Sequence, residues 1–182
     1  MNLYFRLLLL RLRSLRWPRV GLWDPVTVTF RVNAGDLDVF RHMNNARYLS
    51  LLDLGRLDAL QRSGFWTIVK QRGWYPVVSA QSITYKKSLT LGQRFELTTR
   101  FIGFDDRATY AEQIFHIDGK VHAHAVVQTR FLRRSGGIVP QPELLEAAGG
   151  APALVLPDEV GAWAQAARTL SSRPVGSSGP TA

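Results

Sequence analysis

The sequence predicts an α+β fold: a five-stranded antiparallel sheet curved around one long helix. Three observations carry that expectation. Val26, Val28, Phe30 and Val32 alternate with Thr27, Thr29, Arg31 and Asn33, which is the period of a strand with one buried face. A segment from Ala46 to Ser63 follows, with Leu49, Leu52, Ala59 and Leu60 among its apolar positions and no proline. Between residues 77 and 131 the chain then returns to strand-like runs separated by turn signals. A lone helix can bury its apolar stripe only against the concave face of such a sheet.

Each element has its own local reason. Asn44 or Asn45 can cap the helix, and Gly64 stands where it would stop. Gly55 lies inside it, at a cost in helix propensity that close packing on a sheet would offset. Pro76 opens the second strand, Val77 to about Thr90, which ends at the turn Leu91-Gly92. Phe95, Leu97, Thr99 and Phe101 alternate with Glu96, Thr98 and Arg100 in the third strand. Asp105-Asp106 is the expected tip of the next hairpin, Arg107 to Ile117 the fourth strand, and Asp118-Gly119 a two-residue hairpin turn. Val121, Ala123, Ala125, Val127, Thr129 and Phe131 are the inner face of the fifth, which Ser135-Gly136-Gly137 ends. The last four strands read as a meander. Short helices are expected at Pro142–Ala148 and Glu159–Arg168, and a Ser/Gly/Pro-rich, disordered tail from Ser171.

A chain of 182 residues suits one domain with extensions: an arm over residues 1–23, a main domain over 24–149 and a C-terminal extension over 150–182. There is no cysteine, so disulfides, thiolate nucleophiles and thiolate metal sites are excluded. The net charge is +9, and five arginines with no acid fall in the first twenty residues; without them the remainder carries +4. Such an arm favours phosphorylated ligands or anionic surfaces. With Leu7-Leu8-Leu9-Leu10 it could rest on a membrane, or pack on its own domain or a partner. No run reaches the roughly 18 apolar residues of a spanning helix, and we expect a cytoplasmic protein with possible peripheral membrane contact. The aromatic residues fall at core-like positions, which argues against nucleic-acid binding. One side of the helix would remain uncovered, so a homodimer or dimer of dimers is expected.

The chemistry concentrates in Asp36-Leu-Asp38-Val-Phe-Arg-His42-Met-Asn44-Asn45-Ala-Arg-Tyr48, between the first strand and the helix. There a chain can aim polar groups and unpaired backbone N–H donors at a ligand. Asp36 and Asp38 could instead cap a turn, and Asn44 and Asn45 the helix. The helix acids Asp53 and Asp58 read as solvated or interface charges. His116, His122 and His124 read as a solvated face, so no metal is expected.

The motif Asp-x-Asp-x-x-x-His-Met-Asn-Asn-x-x-Tyr, on a strand–helix–four-strand chain, resembles the hotdog-fold acyl-CoA thioesterases of the 4-hydroxybenzoyl-CoA thioesterase type. It also resembles the plant acyl-carrier-protein thioesterases. Closer is the group that includes the mammalian thioesterase superfamily member six, with which Gly103-Phe-Asp-Asp-Arg-Ala108 and Asp118-Gly119 also agree. The likeness covers about Asp24 to Gly149. It implies hydrolysis of an acyl-CoA or acyl-carrier-protein thioester, with coenzyme A entering only as part of the substrate. It implies Asp38 as general base or nucleophile, assisted by His42 and Asn45, with Asn44, Ala46 and Tyr48 on the substrate. Tyr48 also reads as a packing residue. Lys86, Lys87, Arg100, Arg107 and Arg130 could meet the phosphates of coenzyme A. Arg41 stands before His42 where the family often has glycine. A non-catalytic acyl- or lipid-binding protein of the same fold is the alternative.

Overall fold

The computed structural model describes Arg6, residues 17–150 and residues 154–172. Most of the basic arm and the end of the tail lie outside the described residues.

Strand β1 (Val26–Arg31) leads through a single 3-10 turn (Ala34–Asp36) and a short loop into helix α1 (Asn45–Arg62). Helix α2 (Phe65–Gln71) follows at once, then β2 (Trp74–Tyr85), β3 (Arg94–Phe104), β4 (Thr109–Ile117) and β5 (Lys120–Arg133). Helices α3 (Gln141–Ala147) and α4 (Asp158–Ser171) end the described chain. All pairings are antiparallel, in the order β1-β3-β4-β5-β2.

The five strands and the long helix stand as expected, with three differences. The last four strands are not a simple meander: β3, β4 and β5 are, but β2 crosses to the far edge beside β5. The proline explains its place, because Pro76 has no N–H to give and is tolerated only where one side of the strand is unpaired. Strand β2 also ends at Tyr85, short of Thr90. The amides of Lys86 and Lys87 both turn onto the His122 carbonyl, and the Leu89 carbonyl accepts from Met43 instead. Helix α2 is absent from the sequence reading. Its β-branched Thr67-Ile68-Val69 run is a poor helix signal. Gly64, at φ 78°, both ends the first helix and starts the second.

Helix α1 lies in the concave face of the sheet. Tyr48, Leu51, Leu52 and Leu54 pack against Phe95, Leu97, Phe115, Ala123, Ala125 and Val127. Each such side chain contributes about 1.5–3 kcal/mol by leaving water. Toward the other end of α1, Ala59 and Leu60 meet Phe65, Val69, Trp74, Phe101 and Phe131. Helix α4 instead covers the outer face, with Val160 and Ala164 against Ile102, Ala108 and Tyr110. Asp105 fastens it there. Its carboxylate accepts hydrogen bonds from the Arg107 and Ala108 amides, the Tyr110 hydroxyl and Arg168. Burial pushes this carboxyl up, but those donors together hold it below the usual aspartate range.

Asp58 is a correction. Expected at the solvent or an interface, it is fully buried. The segment before β1 lies over this part of the helix: the Val20 amide reaches the Arg62 carbonyl, and Arg62 stacks on Trp17 at 5.2 Å. Burial drives the Asp58 carboxyl up to about 6, against the lowering effect of Arg62 at 3.7 Å.

Candidate active site

The loop between β1 and α1 is built around two acids with opposite fates. Asp36 is buried at 1% exposure. It accepts from the Asn33 amide at 2.9 Å and pairs with the guanidinium of Arg6 from the N-terminal arm, while its own carbonyl receives the Asn44 amide at 2.8 Å. Every one of these contacts holds the loop's shape.

Asp38 is only half-buried. It sits at the mouth of a tight hairpin: Leu37 bridges Met43, the Asp38 amide donates to the His42 carbonyl at 2.9 Å, and Arg41 donates to the Asp38 carbonyl at 3.1 Å. Its Oδ1 accepts from the amides of Phe40 (2.9 Å) and His42 (3.2 Å). Its Oδ2 has no hydrogen-bond partner among the described residues. One oxygen is thus pinned by two amides and the other is free to take a proton or attack a carbon. The turn needs a left-handed residue, and Arg41 supplies it at φ 61°. A glycine would adopt that conformation without strain.

Met43 anchors the return of the hairpin by donating to the Leu89 carbonyl at 2.8 Å. Helix α1 then starts. Asn44 is its N-cap, and the Asn44 side chain accepts from the Ala46 amide at 2.9 Å. The amides of Asn44 and Ala46, expected to face a substrate carbonyl, are therefore already engaged. The Asn45 amide has no partner among the described residues, and the Asn45 side chain is exposed. His42 is exposed too, and its backbone rather than its ring fixes the loop. Asp38 is thus half-buried in the hairpin, and His42 and Asn45 are exposed between it and the first turn of α1.

Tyr48 lies beneath that surface, at 2% exposure. Its hydroxyl accepts from the Leu89 amide at 3.3 Å, and its ring meets Tyr85 and Phe115 edge-on, each at 5.0 Å. Burial pushes its phenol above the usual tyrosine range, against the lowering effect of the Leu89 amide. The ring packs the loop onto the sheet.

The basic residues separate by place. Arg100 is paired with Glu112, and Arg107 with Asp106. Lys86 and Lys87 are exposed on the turn after β2. That turn runs into Leu89 and Thr90, which pair with Met43 and His42. Of the histidines, His116 meets Thr98 at 2.9 Å and His124 meets Glu112 at 2.9 Å. His122 is a correction: it is 4% exposed rather than solvated, below the turn that folds back onto its carbonyl. No group of three or more histidines and acids among the described residues is arranged to hold a metal ion.

A polar cluster that the sequence did not flag lies further along α1. Arg56 is buried; it donates to Gln113 at 2.6 Å and pairs with the exposed carboxylate of Asp53. Gln113, fully buried, donates in turn to the Leu52 carbonyl at 3.0 Å and to Thr99 at 2.9 Å. Arg56 and Asp53 border a cavity of about 150 Å³ between α1, α2 and the start of β2. Its apolar walls are Leu57, Leu60, Trp66, Val78, Phe101 and Phe131. A signal for the cluster exists in the pattern: Gln113 breaks the apolar inner face of β4 opposite an arginine on the helix.

A sheet wrapped around one helix, with an acid-bearing hairpin at the helix start, defines the hotdog class. Residues 32–163 match the model of the thioesterase-like superfamily, and the chain belongs to that family. It is 37% identical to Protein THEM6 of Danio rerio over 107 residues, 58% of this chain and 53% of that protein. To Protein THEM6 of Drosophila melanogaster it is 35% identical over 57% of this chain and 55% of that one. The chain thus spans about half the length of these relatives. It is 27% identical to the long-chain acyl-CoA thioesterase FadM of Escherichia coli, over 53% of this chain and 75% of that protein. Among solved structures, the probable thioesterase YbaW of Escherichia coli superposes with a TM-score of 0.63 at 23% identity, covering 66% of this chain and 94% of that one. The gentisyl-coenzyme A thioesterase BH1999 superposes at 0.60 with 18% identity, over 66% and 99% of the two chains. These two likenesses bear on the fold.

Proposed function

We propose that this protein hydrolyses acyl-CoA thioesters, with Asp38 as the catalytic carboxylate and the start of α1 as the oxyanion donor. One observation carries the reading: a carboxylate with one oxygen fixed by two amides and the other, like the Asn45 amide at the helix start, without a partner among the described residues. Asp38 Oδ2 takes a proton from water as that water attacks the carbonyl carbon. The developing oxyanion meets the Asn45 N–H and the positive end of the helix. The tetrahedral intermediate collapses by breaking the carbon–sulfur bond. The departing thiolate, whose conjugate acid has a pKa of about 8.5, needs little acid assistance. Attack by Asp38 itself, through a mixed anhydride that water then opens, uses the same geometry. His42 and Asn45 border the path of the thioester. Lys86 and Lys87 supply charge to the phosphates of coenzyme A, and an acyl-carrier protein would present its phosphopantetheine there in the same way.

The site lies open in a single protomer, and we infer a homodimer that covers it. Strand β2 is a twelve-residue edge with Tyr75, Val77, Val78 and Tyr85 between 37% and 41% exposed. Long apolar edges of this kind pair with another chain. Among the described residues no helix is long and apolar enough to cross a membrane; peripheral membrane contact through the basic arm belongs to the same reading.

The test is thiol release from a panel of short, long and aromatic acyl-CoAs. Asp38→Asn should lower kcat/KM by about 10²–10⁴ with an unchanged melting temperature. Release that survives in Asp38→Asn removes Asp38 from the reaction. A wild type that binds acyl-CoA and releases no thiol from any of the panel is an acyl-binding protein instead.

A further inference from the structure

The arginines of the arm read in the sequence as charge for an anionic partner, yet Arg6 is buried at 6% exposure. Its guanidinium makes two bonds from one nitrogen. Arg6 Nη2 donates to Asp36 Oδ2 and, at 3.2 Å, to the Arg31 carbonyl. Arg31 ends β1, which is an edge of the sheet. The next residue, Val32, turns both its amide and its carbonyl to the Gly92–Gln93 turn before β3. Alternation along extended backbone then points the Arg31 carbonyl to the open side. Arg6 takes that carbonyl and the carboxylate together, so it joins the sheet edge to the base of the Asp38 hairpin.

The base is short. The Asp36 carbonyl accepts from the Asn44 amide, Leu37 bridges Met43, and the Asp38 amide donates to the His42 carbonyl. Asp36 holds the first of these contacts, and Asp38 lies two residues further on. A displacement of Asp36 is therefore carried to the Asp38 carboxylate, whose partners among the described residues are the amides of Phe40 and His42 in the same hairpin. Asp36 has little else to keep it in place. The Asn33 amide donates to the oxygen that Arg6 also holds, at 2.9 Å. The other oxygen has no hydrogen-bond partner among the described residues, and Arg47 stands off from it at 3.9 Å. A buried carboxylate that loses its counter-charge is costly, and such a group turns toward water.

We propose that Arg6 is a positioning residue: acting through Asp36, it holds the hairpin so that the Asp38 carboxylate stays aimed. The arm, at this residue, is part of the site it precedes by far in the sequence. What Asp38 does once aimed rests on the thioesterase reading. A misplacement of about 1 Å at a reacting group costs about 10²-fold in rate, so a loosened hairpin is felt in turnover.

Two measurements on the full chain test this. Amide hydrogen exchange follows the hairpin without turnover. Arg6→Gln should speed exchange at Phe40, His42 and Asn44 by about tenfold or more and leave the amides of β4 unchanged. Thiol release should show kcat lowered by about 10–100-fold, with KM changed by less than about twofold. Arg6→Lys should recover both readouts, since both bonds leave from one nitrogen and an ammonium can make both. Arg6→Gln combined with Asp36→Asn should be no slower than the slower single variant, because the two residues act as a unit. An unchanged hairpin exchange, or an unchanged kcat, in Arg6→Gln overturns the proposal. So does exchange that rises equally across the sheet, which would make the pair a staple of the whole fold. A lysine that restores neither readout, or losses that multiply in the double variant, count against it equally. A wild type that releases no thiol, with the hairpin alone loosened by Arg6→Gln, leaves the positioning in place and removes the thioesterase reading.

Discussion

Two aspartates separated by one residue divide the work of the hairpin. Asp36 is enclosed by Asn33, Arg6 and the start of the helix, so its carboxylate is committed to structure. Asp38 offers one oxygen to the loop and keeps one free. A third aspartate shows what burial does without such donors. Among the described residues neither Asp58 oxygen has a hydrogen-bond partner, Arg62 stands off at 3.7 Å, and burial lifts the carboxyl to about 6. The folded form therefore binds this proton more tightly than the unfolded chain does. The contribution to stability is full below pH 4 and is lost as pH rises from about 4 to 6. Asp58→Asn, which mimics the protonated carboxyl, should remove this loss. In denaturant titrations at pH 5 and pH 8, the variant should gain on the wild type at the higher pH. A wild-type-minus-variant difference that does not change with pH would show that Asp58 is not protonated in the folded protein.

At the scale of elements, the contact between α1 and the sheet depends on one missing side chain. A Cβ at Gly55 would stand 2.7 Å from Thr99 Oγ1, 2.9 Å from Gln113 Nε2 and 2.9 Å from Leu97 Cδ2. Glycine is unfavourable in a helix by about 1 kcal/mol, yet here it lets the helix backbone approach the sheet. Gly55→Ala should thus destabilise the fold by about 1–3 kcal/mol, because overpacking and the disturbed Arg56–Gln113–Thr99 chain outweigh the gain in propensity. Thermal melting decides the sign; a more stable variant would mean that the sheet yields. The glycine and its reason were legible in the sequence, because an apolar helix broken by a lone glycine points to close packing. Helix α2 and the end of β2 were not. Seven residues rich in β-branched side chains carry no helical signal, and β2 stops where two lysine amides turn to a distant carbonyl.

At the scale of the molecule, the exposed length of β2 is where the proposed homodimer would pair. Tyr75→Lys with Val77→Lys puts charge on the apolar edge through which the proposed dimer would pair. Sedimentation should then show a monomer, with thiol release lost in parallel, while Asp38→Asn stays dimeric. A dimeric double variant would move the interface away from β2. Alternation of period two, one long helical segment and an Asp-x-Asp hairpin motif determined the fold class and the place of the candidate site, because these are local patterns written along the chain. Only the tertiary structure decided which aspartate is free, which helix-start amide is unpaired, and that β2 rather than a central strand forms the edge. Each of those depends on partners far away in sequence: Arg6 on Asp36, Leu89 on Met43, β5 on β2. No local pattern encodes such meetings.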